Sequence, residues 1–241
     1  MKSGMKRIKL IIPVATSIWN KPALAELNKY KDDSTLIDVV NIESGSESIE
    51  SNFDVAWCVL PTLQEVIKAE QESYDGVIIY CGSDPALEAA KEAVKIPVVG
   101  IGEASFYIAS LIGRKFGIVK PCSPGAASSG ALNNLKVYEL DHKCVGFGYI
   151  GIPVLSLIGS EEKMLKALIQ VGAELLNKGA DVIVLGCGGM LGVEEKASQE
   201  LGVPIVVPAA AAIKLCESLI AMGLAQSKKA YPIPPSKKRF N

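Results

Sequence analysis

Residues 74–85 read YDGVIIYCGSDP, and residues 179–190 read GADVIVLGCGGM. Each segment places an acidic residue ahead of a short apolar run, and each run leads into a cysteine followed by glycine. Cys81 and Cys187 stand at the matching places, 106 residues apart. The two segments therefore predict a duplicated α/β unit that carries one thiol in each copy.

The repeat extends to both sides of the cysteine segments. A second run begins at Pro97 in the first copy and at Pro204 in the second. Upstream, residues 7–13 (RIKLIIP) match residues 115–121 (KFGIVKP). We predict a first lobe of residues 1–113 plus 208–225 that carries Cys81, and a second lobe of residues 114–207 that carries Cys187. Residues 226–241 hold three prolines and five basic residues, which predicts a surface tail.

Short apolar runs alternate with helical patterns along the whole chain, which is typical of βαβ units and parallel sheets. The predicted strands are Ile8–Val14, Thr35–Val40, Gly76–Cys81, Pro97–Ile101, Lys115–Val119, Val182–Cys187 and Pro204–Val207. The clearest predicted helices are Ala86–Val94, Glu103–Gly113, Glu161–Lys178, Val193–Leu201 and Ala209–Met222. The predicted fold is α/β with two pseudo-symmetric lobes, each a mainly parallel sheet flanked by helices, and with the active site in the cleft between them.

Two local features refine this prediction. Asp84 and Pro85 are a good N-cap and first-turn pair, so we expect a helix to begin directly after Cys81-Gly82-Ser83. Residues 121–134 are rich in Gly, Ser and Ala, which predicts a loop or a lid over the cleft.

Composition narrows the class of protein. The chain has 241 residues, 49% of them hydrophobic, and a net charge of −1, so it can bury a full core and has no electrostatic footprint for nucleic acid. Its six cysteines show no C-x-x-C spacing and it has one histidine, which predicts neither a metal site nor disulfides and favours a reduced, cytoplasmic protein.

The basic start resembles a signal peptide, but Lys9 and Pro13 interrupt the apolar run, so we predict a buried strand there. No apolar segment reaches about 18 residues, so no membrane span is expected.

The paired cysteines suggest the chemistry. In a parallel sheet, ligands bind outside the carboxyl ends of the strands, where both cysteines are predicted to lie. A helix dipole there is expected to lower each thiol pKa, so that one thiolate acts as a base and the opposing thiol as an acid. N–H groups of Gly82, Gly188 and Gly189 would stabilise an enolate oxygen. This is two-base inversion of a carbon stereocentre on a small-molecule substrate without a cofactor.

Four segments resemble the aspartate/glutamate racemase superfamily, and within it the hydantoin racemases. They are CGSDPAL at 81–87, PVVGIGEA at 97–104, GCGGM at 186–190 and GSESIES at 45–51. The resemblance covers nearly the whole chain except the tail. It implies a two-lobed α/β fold, cofactor-independent racemisation by Cys81 and Cys187, and a homo-oligomer.

The resemblance also implies substrate contacts. Thr16 and Ser17 match the end of a family motif after the first strand, although a hydroxyl pair that caps the next helix explains them equally well. Ser83 and the three glycines complete the predicted substrate-binding set. Pro13, Ala15, Gly82 and Ser83 depart from the family pattern, which leaves the substrate open.

Three functions remain open at this stage. The first is a racemase of a hydantoin or an allantoin-like compound. The second is an aspartate or glutamate racemase or a maleate-type isomerase, in which Thr16, Ser17 and Ser83 would grip carboxylates. The third is a two-lobed small-molecule binding protein, which explains the repeat but not the matched thiols.

Overall fold

The computed structural model describes residues 4–122 and 126–238, with the backbone alone for 126–129, and it contains two parallel four-stranded sheets. The first sheet has the strand order β2-β1-β3-β4 and the second has the order β6-β5-β7-β8, so the second sheet repeats the topology of the first. The strands are β1 (Lys6–Ile12), β2 (Thr35–Asn41), β3 (Gly76–Ile79), β4 (Val98–Gly100), β5 (Phe116–Lys120), β6 (Cys144–Tyr149), β7 (Val182–Leu185) and β8 (Ile205–Val206).

Helices connect the strands and flank both sheets. They are α1 (Asn20–Tyr30), α2 (Asn52–Gln71), α3 (Leu87–Ala93), α4 (Ile101–Ile112), α5 (Ala126–Val137), α6 (Glu161–Asn177), α7 (Glu194–Leu201) and α8 (Pro208–Met222). The predicted α/β fold with two similar lobes is confirmed. Of the described helices, none is long and apolar enough to cross a membrane.

The seven predicted strands are all present, and β6 was missed. Its sequence CVGFGY contains two glycines, which weaken the β signal. The prediction of a loop over residues 121–134 was wrong from Ala126 onward, because α5 begins there. The part of that prediction at 123–125 lies outside the described residues.

The prediction of a helix directly after Ser83 was also wrong. Asp84 and Ala86 both have positive φ angles, 46° and 65°, and α3 begins only at Leu87. The Asp84 carboxylate instead accepts the N–H groups of Gly102 at 2.9 Å and Glu103 at 2.7 Å, in the first turn of α4. Asp84 therefore caps a helix that follows β4, not the helix that follows it in sequence.

The core lies between the layers and continues from one lobe to the other. All four residues of β3 and all four of β7 are buried, as expected for strands covered on both faces. Between the lobes, the rings of Phe106 on α4 and Phe116 on β5 stack with centroids 6.0 Å apart. The two sheets thus share apolar packing.

Helix α8 returns from the second sheet and packs against α4, α1 and β3. Its Glu217 carboxylate is buried and accepts the Thr35 hydroxyl at 2.6 Å and the Asp32 N–H at 2.7 Å. The chain beyond α8 was expected to be a surface tail from residue 226, but its first residues are docked. The Gln226 amide donates to the carbonyls of Val94 and Ile96 at 2.8 and 2.9 Å.

Candidate active site

Cys81 and Cys187 occupy equivalent turns at the carboxyl ends of the two central strands. Each lies two residues beyond its strand, β3 or β7. The Cys81 carbonyl accepts the N–H of Asp84 at 2.9 Å, and the Cys187 carbonyl accepts the N–H of Met190 at 3.2 Å. In sheets with this strand order, the connections after the two neighbouring central strands, β1 and β3 or β5 and β7, run in opposite directions. They leave a crevice at the carboxyl ends of these strands, where ligands bind.

The two cysteines line the same crevice, which consists of two adjoining cavities. They enclose about 400 and 430 Å³ of space, part of it open to solvent, which suits a small molecule. Five residues line both cavities: Ile49, Cys81, Gly82, Val154 and Cys187. We name the cavity that also contains Ser83 and Lys120 the lysine cavity, and the one that also contains Tyr80, Gly188 and Gly189 the tyrosine cavity.

The thiols are held alike, but their protonation differs from the expectation. Each sulfur accepts a backbone N–H from two residues ahead: Ser83 for Cys81, and Gly189 at 3.4 Å for Cys187. Burial nevertheless raises the pKa of Cys81 to about 12 and also raises the pKa of Cys187. The predicted lowering by helix dipoles was wrong, because α3 and α7 begin six and seven residues beyond the cysteines and the dipole acts only within the first turn.

Lys120 is a site residue that the sequence analysis missed. It ends β5, lines the lysine cavity and is only 6% exposed. Burial lowers the pKa of this ammonium, while the negative charges of the Cys81 and Cys187 thiolates act to raise it. The repeat contained a signal for this residue, since Lys120-Pro121 ends one strand where Ile12-Pro13 ends its counterpart.

Glu50 lines the lysine cavity and joins the two lobes there. This residue lies between β2 and α2, and one carboxylate oxygen accepts the Val154 N–H at 3.1 Å while the other accepts the Cys122 thiol at 3.1 Å. Burial raises the pKa of Cys122 to about 12, so the thiol is the donor in this contact. Cys122 is therefore a hydrogen-bonded wall residue of the cavity.

The predicted glycines lie at the lobe interface as well as along the cavities. A Cβ on Gly82 would stand 2.4 Å from the Gly186 carbonyl oxygen, and one on Gly188 would stand 2.5 Å from the Tyr80 ring. The Tyr80 hydroxyl donates to the Gly188 carbonyl at 3.1 Å. Close approach of the two halves thus requires glycine at both positions.

Thr16 and Ser17 are placed apart from the other predicted site residues. Neither is among the residues that line the two cavities. The Thr16 carbonyl accepts the Asn41 amide at 2.6 Å, and the Ser17 carbonyl accepts the N–H of Asn20 at the start of α1. Within the described part of the chain, no group of three or more His, Cys, Asp and Glu side chains has the arrangement of a metal site.

The chain is similar to known racemases in both sequence and structure. A family model described as Asp/Glu/Hydantoin racemase matches residues 8–216. A hydantoin racemase of Paenarthrobacter aurescens is 32% identical over 97% of this chain and 99% of its own. The structure of an allantoin racemase from Klebsiella pneumoniae aligns with a TM-score of 0.91 at 31% identity, covering 98% of this chain and 96% of that one. An allantoin racemase from Pseudomonas fluorescens aligns with a TM-score of 0.90 at 28% identity, covering 98% and 100%.

Proposed function

The chain belongs to the Asp/Glu/hydantoin racemase family, and from that premise we propose that it racemises a hydantoin or an allantoin-like compound with Cys81 and Cys187 as its two bases. The observation that carries the proposal is the shared crevice. Both cysteines follow equivalent strands, line the same two cavities and interact electrostatically with each other. A binding protein of the same architecture would have no need for this pair.

The proposed reaction needs only proton transfers. One cysteine, as the thiolate, removes the proton from the carbon next to the substrate carbonyl, and the electron pair moves into an enolate. The other cysteine, as the thiol, returns a proton to the opposite face, so the product has the inverted configuration and the charges of the two sulfurs have exchanged. In the reverse direction the two cysteines change roles.

The size and lining of the crevice support a small, largely uncharged ring. Ile49 and Val154 give both cavities apolar walls, while Ser83 and Gly188 offer polar groups at their edges. A hydantoin ring has an acidified carbon–hydrogen bond beside a carbonyl. Its ring amides can form hydrogen bonds with such polar groups. Thr16 and Ser17 stay in the proposal as contacts that substrate binding would have to bring nearer.

One observation favours a second candidate substrate. Lys120 lines the lysine cavity, and an aspartate- or glutamate-like substrate has a carboxylate that a lysine ammonium binds. This alternative predicts turnover of an acidic amino acid and little or none of a neutral hydantoin.

Cysteine variants test the proposal. We expect Cys81→Ser and Cys187→Ser each to lower the rate of racemisation of a 5-substituted hydantoin or of allantoin by about 10²- to 10⁴-fold. A serine hydroxyl is a far weaker acid than a thiol, and hardly any of it is ionised near neutral pH, so it neither donates nor removes a proton efficiently. Chiral chromatography of each enantiomer during the reaction measures the rate.

Cys144→Ser is the matched control, since Cys144 is partly buried on β6 and lines neither cavity. Its rate should equal that of the unmodified protein. Unchanged turnover in either Cys81→Ser or Cys187→Ser contradicts the two-base proposal.

We also propose, from the family resemblance, a cytoplasmic homo-oligomer. Analytical ultracentrifugation of the full chain, 25.5 kDa per copy, distinguishes an oligomer from a monomer.

A further inference from the structure

The two halves of the crevice differ in charge at one position. Lys120 ends β5 and Ile12 occupies the matching place at the end of β1, so the repeated fold does not itself require a lysine there. Among the described residues that line the two cavities, Lys120 is the only basic one. Lys120 is only 6% exposed, and burying a lysine ammonium costs free energy that a nearby negative charge offsets.

Backbone packing holds the lysine stem beside Gly186. The Gly186 N–H donates to the Val119 carbonyl at 2.7 Å, which joins the ends of β5 and β7. A Cβ on Gly186 would stand 3.0 Å from Cγ of Lys120, so glycine at this position leaves the space that the stem occupies. The residue directly after Gly186 is Cys187, and Cys81 lies across the same cavity.

We propose that the Lys120 ammonium is the counter-charge of the active-site thiolate, shared between Cys81 and Cys187, and that it acts as a positioning residue for the proton transfers. The inference deepens the proposed function and rests on it for its catalytic meaning. A two-base site must keep one sulfur ionised in a crevice that otherwise disfavours ions. A cation near both sulfurs stabilises the ionised form of either one, whichever sulfur holds the negative charge.

The surrounding charges agree with this role. The positive charge of Lys120 acts to lower the pKa of both Cys81 and Cys187, against the larger effect of burial. Asp84 and Glu50 act in the opposite sense, Asp84 on Cys81 and Glu50 on Cys187. The remaining titratable groups at the lysine cavity are Cys122, which donates to Glu50, and Tyr149, the neighbour of Lys120 on β6.

Alkylation of the thiols tests the proposal without any substrate. Iodoacetamide reacts with thiolates, so the rate at which each cysteine is alkylated, followed by peptide mass spectrometry across a pH series, reports the ionisation of each sulfur. Lys120→Met removes the charge and keeps much of the stem. Lys120→Arg keeps the charge. Lys115→Met is the matched control, because Lys115 directly precedes β5 at its opposite, exposed end.

We expect Lys120→Met to shift the alkylation profile of Cys81, Cys187 or both upward by about one pH unit or more, because an adjacent opposite charge lowers a pKa by about that much. Lys115→Met should leave both profiles in place, and Lys120→Arg should largely restore them. The profile of Cys144 serves as an internal reference. Identical profiles in Lys120→Met and the unmodified protein overturn the proposal, and if Lys120→Met does not fold, Lys120→Gln gives the same comparison.

Kinetics separate this role from substrate binding. With any substrate that the protein racemises, Lys120→Met should lower kcat and move the acidic limb of the pH profile upward. A raised KM with unchanged kcat and unchanged alkylation profiles would show that Lys120 binds a substrate anion, which overturns the counter-charge role. Absence of racemisation on every candidate would contradict the proposed function, while the alkylation result would still decide the role of Lys120.

Discussion

Asp84 shows how far the environment of one residue departs from what its neighbours in sequence indicate. Besides the two N–H groups at the start of α4, its carboxylate accepts the Tyr138 hydroxyl at 3.0 Å. A Cβ on Gly100 or on Gly102 would stand within 2.6 Å of its carboxylate oxygens, so both glycines make room for it. Despite these donors, burial raises the pKa of Asp84 to about 7.

This raised pKa predicts a pH-dependent stability difference. The folded state binds a proton that the unfolded chain has released, so stability falls as pH rises from about 4, the unfolded pKa, to about 7. Relative to Asp84→Asn, which cannot titrate, the unmodified protein should lose stability over this window, on the order of 4 kcal/mol at most. Urea unfolding of both proteins at pH 4.5, 6 and 8 measures the difference. If the two proteins differ by the same free energy of unfolding at all three pH values, the raised pKa of Asp84 is contradicted.

The sequence indicated the two thiols but not the groups that surround them. A repeated Cys-Gly at the end of two β-branched runs is a local signal, so it placed Cys81 and Cys187 at equivalent strand ends. Lys120 and Glu50 enter the site from other connections, and which connections meet depends on strand order and on how the lobes dock. The prediction of a lowered thiol pKa was wrong for a related reason. Residue types do not show how many residues separate the end of each strand from the start of the following helix.

Helices and strands with a strong local sequence pattern were predicted correctly, and those with a weak pattern were not. Strands β3 and β7 are unbroken apolar runs, and both lie where predicted. Helix α5 has glycine, serine and alanine in its sequence, which resembles a loop until Leu135 is seen to be fully buried against the core. Tertiary packing, which a single sequence window does not contain, stabilises such elements.

The packing of α2 on β1 contains a buried ion pair that supports a stability prediction. Lys9 is 1% exposed, and its ammonium contacts Glu65 at 2.9 Å and Glu72 at 3.2 Å. We expect Lys9→Met to destabilise the fold by about 3 kcal/mol, because it removes the nearer cation of the partly buried Glu65 carboxylate and leaves only Lys68, at 3.8 Å. Chemical denaturation measures the change.

Lys166→Met on α6 is the control, since its ion pair with Glu162 is exposed on both sides. It should cost less than about 1 kcal/mol. Equal losses in the two variants would show that the ion pair of Lys9 contributes no more than a surface pair.

At the scale of the molecule, the repeated topology explains why the crevice has two similar walls. Strand orders β2-β1-β3-β4 and β6-β5-β7-β8 each place a cysteine turn at the carboxyl end of the third strand, and contacts such as Tyr80 with Gly188 bring the turns together. The lobes and the cysteine pair followed from the repeat. The docking of Gln226 did not, because it depends on the carbonyls of Val94 and Ile96 in the connection between α3 and β4.

Two bases on opposite faces of one carbon treat the two enantiomers differently when the reaction runs in D₂O, so the incorporation of deuterium tests the two-base mechanism. One pure enantiomer of a hydantoin that the protein racemises is incubated with the protein in D₂O. At low conversion the two enantiomers are separated, and the deuterium content of each is measured by mass spectrometry. We expect deuterium in nearly every product molecule and protium in the recovered substrate, because the acid that protonates the far face has exchanged with solvent while the base returns the proton it removed. Equal amounts of deuterium in the recovered substrate and the product would contradict the two-base mechanism.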